Sequence, residues 1–120
     1  MDNHLLINIY KNEIFVQQFK SEKTAIHKMR EEFFETADAE NESCANKYSN
    51  PSTHIFKYEA TVNENKWLIV RIPFGIYYVL IKLKNNTINI EHFTKIEQLK
   101  KEVLNTKKDK DTIYYTLAIN

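Results

Sequence analysis

Between residues 54 and 93 the chain is a succession of short β-forming segments, the first and last of them alternating apolar and polar side chains with the period of a strand. His54, Phe56, Tyr58, Ala60 and Val62 alternate with Ile55, Lys57, Glu59 and Thr61. Asn63-Glu64-Asn65 follows as a turn. The next stretch puts Trp67, Ile69 and Arg71 on one face and Leu68, Val70 and Ile72 on the other. Pro73 ends it, since proline cannot donate to a ladder, and Gly75 lets the chain bend. Ile76 to Leu83 is almost unbroken β-former, the pattern of a central strand covered on both faces. Asn85-Asn86 reads as a two-residue turn, and Ile88, Ile90 and His92 then alternate with Thr87, Asn89 and Glu91. The pattern predicts a four-stranded antiparallel meander over 54–93.

The flanks supply the remaining elements. Residues 4–10 and 14–19 are apolar runs around the polar break Lys11-Asn12-Glu13, which reads as a hairpin. Ser21 caps a helix expected to reach Asp38, with Ile26, Met29, Phe33 and Ala37 on one face and Phe34 widening it. Residues 39–53 carry no apolar period and read as a polar loop. Thr94 and Glu97 match a capping box, opening a helix to about Asn105 with Ile96, Leu99, Val103 and Leu104 as its apolar stripe. Ile113 to Ile119 alternates again and gives a last strand. The order β-β-α-β-β-β-β-α-β predicts an α+β fold: one mostly antiparallel sheet with two helices packed on it, in a single domain over 1–120. A chain of 120 residues buries a core without metals or disulfides.

One glycine serves the whole chain, so asparagine takes the turns, because it tolerates the left-handed region better than most residues. The same scarcity excludes P-loop and dinucleotide-binding classes in their usual form, since their close backbone approach to phosphate needs several glycines. The formal net charge of +1 argues against binding nucleic acid through bulk charge and against global DNA mimicry. The single cysteine, Cys44, forms no internal disulfide. The Met-Asp-Asn-His start lacks the basic and apolar regions of a signal peptide, and the longest apolar run is too short to span a bilayer. A cytoplasmic protein without membrane contact is the expectation. Richness in Asn, Lys and Ile agrees with an AT-rich coding genome, a category that includes many phages and mobile elements.

No catalytic residue, metal or cofactor is expected. His4, His27, His54 and His92 show no metal-ligand spacing. The one enzymatic alternative is a site where His54 and His92 approach across the meander. Cys44 sits beside Glu40 and Glu42, whose charges raise a thiol pKa, the reverse of what a nucleophile needs.

The charge distribution says more than its sum. Glu31, Glu32, Glu35, Asp38, Glu40 and Glu42 form an acidic stretch with no basic residue, at a helix end whose dipole disfavours negative charge. Breaks of a local rule are enriched at functional sites, so these six are the expected contact surface for a basic partner protein. Lys95, Lys100, Lys101, Lys107 and Lys108 form the counterpart, a candidate nucleic-acid surface in the alternative reading. Trp67, Tyr77, Tyr78, Tyr114 and Tyr115 lie on strands, and a sheet face left bare by two helices would suit a partner or a homodimer. The pattern predicts a small non-enzymatic protein-protein interaction module, a binding or inhibitory protein that docks on a larger partner.

Overall fold

The computed structural model describes residues 3–36, 47–48 and 56–120. The fold is α+β, built from antiparallel sheets and two helices. The chain divides into two compact units, Met1–Pro73 and Phe74–Asn120.

The first unit holds β1 (Asn3–Tyr10), β2 (Glu13–Phe19), α1 (Glu22–Thr36), β3 (Lys47–Tyr48), β4 (Phe56–Val62) and β5 (Asn65–Ile72). They form a five-stranded sheet in the order β2-β1-β5-β4-β3. Ser21 caps α1 as its sequence predicts, with its Oγ accepting the Thr24 N–H at 3.2 Å. Ala25, Met29 and Phe33 on α1 pack against Leu6, Ala60, Val62, Trp67 and Ile69 of the sheet. Burying each large side chain in this layer contributes roughly 1.5–3 kcal/mol. Leu5, Ile7, Leu68, Val70 and Ile72 point to the opposite face and are buried as well. Both faces of β1 and β5 are therefore covered, which accounts for their unbroken apolar runs.

The second unit holds β6 (Tyr78–Lys84), β7 (Thr87–Phe93), α2 (Ile96–Lys107) and β8 (Ile113–Ala118), with sheet order β7-β6-β8. Lys82 on β6 pairs with Glu102 on α2, which places Leu80 on the helix face of the sheet. Val79, Ile81 and Leu83 lie on the other face and are buried. Thr106 is buried in α2 and satisfies its hydroxyl by donating to the Glu102 carbonyl at 2.8 Å.

Three hairpins close with two-residue turns in which both residues have positive φ: Lys11-Asn12, Asn63-Glu64 and Asn85-Asn86. Paired positive φ is the type I′ geometry, whose twist matches that of the flanking strands. Asparagine carries four of these six positions at modest cost. Glu64, at φ 66°, pays the full steric penalty of a Cβ in the left-handed region. Glu64→Gly creates an Asn-Gly turn and is expected to stabilise the protein by about 1 kcal/mol, or roughly 3–6 °C in a thermal melt. An unchanged or lower midpoint would refute this reading of the turn.

Four expectations need correction. The single sheet is in fact two, and the meander predicted over 54–93 breaks between β5 and β6. A strand has two edges, and β5 spends both on β1 and β4, while β6 spends both on β7 and β8. Pro73 stops β5, and Gly75, at φ 97°, turns the chain in a region closed to other residues. The strand from Ile76 to Leu83 starts at Tyr78 and is central only in the smaller sheet. The region 39–53, expected to be loop throughout, contributes Lys47–Tyr48 as a strand paired with β4. The capping box expected from Thr94 and Glu97 does not form: Lys95 is the N-cap and its side chain makes no capping bond, while Gln98 Oε1 accepts the N–H groups of Lys95 at 3.2 Å and Thr94 at 3.3 Å.

Candidate functional site

Three of the six acidic candidates are described, and they play different parts. Glu32 turns towards the sheet, half-buried, where it accepts from Trp67 Nε1 at 3.1 Å and Gln17 Nε2 at 2.7 Å. Its carboxylate satisfies the indole of a tryptophan only 2% exposed. Glu31 is exposed and pairs with Lys28 at 3.1 Å. Glu35 is exposed on the same side of α1. Asp38, Glu40 and Glu42 lie outside the described residues, as do Cys44 and His54. The acidic helix end is also partly compensated. Asn63 Nδ2 donates to the Thr36 carbonyl at 3.0 Å, one of the last four helical carbonyls that lack an intrahelical donor.

The basic candidates converge more closely. Lys100, Lys101, Lys107 and Lys108 are all exposed, and none has an ion pair with a described carboxylate. They sit at i−4, i−3, i+3 and i+4 from Leu104, which is 63% exposed. Side chains at those spacings are neighbours on a helix surface. Leu104 is therefore an apolar centre framed by four cations. Lys95 lies apart, at the N-cap.

Leu104 was expected in the core stripe with Ile96, Leu99 and Val103. The structure buries Leu99 as expected, adds Thr106, half-buries Val103 and leaves Ile96 39% exposed. At 3.6 residues per turn, Leu104 lies about 140° around the axis from Leu99, while Thr106 lies about 20° away. That rotation was readable in the sequence, but a threonine does not announce itself as a core residue.

Beside α2, a shallow cleft of about 360 Å3 lies between Lys82, Lys84, Asp109 and Thr112. Its lysines are neutralised from within. Lys82 pairs with Glu91 and Glu102, and Lys84 with Asp109 at 2.6 Å. Asp109 organises the turn into β8, accepting also from the Thr112 hydroxyl and the Asp111 N–H, both at 3.0 Å. These bonds, led by the one from Lys84, hold its carboxyl below the usual carboxylate range. A cleft so balanced offers no unpaired charge to an anion.

His92 lies on β7 opposite Val79, and partial burial lowers its pKa from the ordinary imidazole value. Among the described residues no group of three His, Cys, Asp or Glu is placed to hold a metal ion. Of the aromatics expected on strands, Trp67 is core, Tyr78, Tyr114 and Tyr115 are half-buried, and Tyr77, just before β6, is 55% exposed. No described helix is long and apolar enough to cross a membrane. No protein-family model, curated protein or solved structure matches the chain.

Proposed function

We propose that this chain is a non-enzymatic binding protein that docks on an acidic partner protein through the outer face of α2. The observation that carries the reading is Leu104, exposed and framed by Lys100, Lys101, Lys107 and Lys108. An apolar centre with a charged rim is the usual build of a protein contact: the centre supplies desolvated contact, and the rim steers and aligns. The acidic stretch is a weaker candidate than its charge suggests. Glu32 is committed to Trp67 and Gln17, and Glu31 to Lys28.

A phosphate backbone needs the lysines but gains little from Leu104, which separates the two readings of α2. The experiment is a titration of the purified partner, first identified by affinity capture from the native host, against three forms of the chain. Leu104→Ala is expected to weaken binding roughly tenfold or more, as a central hot-spot residue does. Lys101→Glu with Lys108→Glu is expected to slow association and flatten its salt dependence. Wild-type affinity in both variants overturns the proposal. Sensitivity to the lysine changes alone, with retention on immobilised duplex DNA that falls steeply with salt, would assign the face to nucleic acid.

A further inference from the structure

Among the described residues, the β2 edge of the five-stranded sheet is another surface with unspent bonding capacity. β2 is the terminal strand there among the described residues and pairs only with β1. Its tight turn makes Tyr10 and Glu13 a hydrogen-bonded pair, and the antiparallel ladder then alternates. The N–H and C=O groups of Glu13, Phe15, Gln17 and Phe19 are thus directed at β1. Those of Ile14, Val16 and Gln18 are directed away from it.

Natural edges are usually blunted by a mid-strand lysine, a proline, a bulge or shortness. β2 has none of these. Its register with β1 is unbroken over seven residues, and Ile14 to Phe19 contains no charge, glycine or proline. Phe15 is 47% exposed on the side facing α1, the side from which Gln17 reaches Glu32. At the opposite end of the sheet, β3 is two residues long. In the second unit, β7 carries Glu91 in mid-strand, and the outward row of β8 is Tyr114, Thr116 and Ala118.

We propose that the β2 edge is an interface between two copies of this chain. The pairing is antiparallel about a two-fold axis at Val16. Val16 meets Val16 of the second copy, and Ile14 meets Gln18 in both directions. Each opposed pair exchanges two backbone hydrogen bonds. Phe15 packs across the strand against Gln17 of the other copy. The charged flanks select this direction: antiparallel pairing sets the Glu13 end of one copy beside the Lys20 end of the other, and parallel pairing sets like beside like. Pairing of an edge with itself closes at two chains, so the contact makes a dimer and not a fibre.

The test uses the full chain in sedimentation equilibrium over a concentration series, with amide hydrogen exchange at both ends of the series. The wild type is expected to dimerise, and the Ile14, Val16 and Gln18 amides to gain protection with concentration. The Phe15, Gln17 and Phe19 amides, held by β1, should be protected throughout. Val16→Pro removes an outward N–H without touching the β1 ladder and is expected to raise the dissociation constant at least about tenfold. Phe15→Lys touches no ladder bond and gives the same readout should the proline variant fail to fold. A wild type that stays monomeric across the series overturns the proposal. So does a dimer that survives Phe15→Lys, or one that protects Tyr114, Thr116 and Ala118 instead.

Discussion

Trp67→Ala is expected to lower the stability of the protein by about 3–5 kcal/mol, the cost of truncating a large aromatic in a well-packed core. Trp67 is 2% exposed, the third residue of β5. Phe33 of α1 meets its ring edge-on, with centroids 5.9 Å apart. Its Nε1–H reaches Glu32 at 3.1 Å. One side chain thus ties the central strand to the helix through packing, ring geometry and a charged acceptor. Total stability for a domain of this size is of the order of 5–15 kcal/mol, so the variant forfeits a large fraction of it and should melt well below the wild type. Trp67→Phe keeps much of the volume and loses the N–H, and should cost distinctly less. Urea titrations of both variants with circular dichroism check the order. Equal losses would show that the bond to Glu32 dominates, and a loss under 1 kcal/mol for Trp67→Ala would refute the core assignment.

Glu32→Lys is expected to cost about 2–3 kcal/mol, while Glu35→Lys stays within about 0.5 kcal/mol of the wild type. Reversal at Glu32 removes the acceptor of both the Trp67 and Gln17 donors and sets an ammonium against them. Glu35 is exposed, and its reversal strips no described donor of its acceptor. The pair of variants separates two meanings of negative charge on α1, one inward and structural, the other on the surface. It also governs any test of the acidic stretch as a contact. Reversing Glu32, Glu35 and Asp38 together would mix lost stability with lost contact, whereas Glu31→Lys with Glu35→Lys leaves the core intact. Thermal melts of the single variants decide the matter. Equal midpoints for Glu32→Lys and Glu35→Lys would remove the structural role given to Glu32.

Much of this fold was legible because its signals are local. Ser21 caps α1 since a hydroxyl needs only the N–H three residues on. The three type I′ turns fall where polar pairs interrupt apolar runs, and asparagine supplies the positive φ that glycine usually provides. Period-two alternation and short apolar runs of β-formers placed the long strands, and period 3.6 both helices. The Lys95 to Lys108 cluster was visible as well, since four of its lysines share one stretch of helix.

Only the tertiary structure decided which strand lies beside which. β4 and β5 pair as neighbours in sequence, but β5 gives its second edge to β1, more than fifty residues earlier. Nothing in the alternation of Tyr78–Lys84 distinguishes pairing with β5 from pairing with β8, because a ladder is written in backbone groups that all residues share. Side-chain partners were hidden for the same reason. Glu32 and Glu35 are three residues apart and chemically alike, and only the position of Trp67 turns one inward. The sequence by itself determined both helices and the long strands, their turns and the sign of charge along each helix. Tertiary packing decided that Glu32 turns inward to Trp67, that Leu104 belongs to the surface, and that β2 ends its sheet among the described strands.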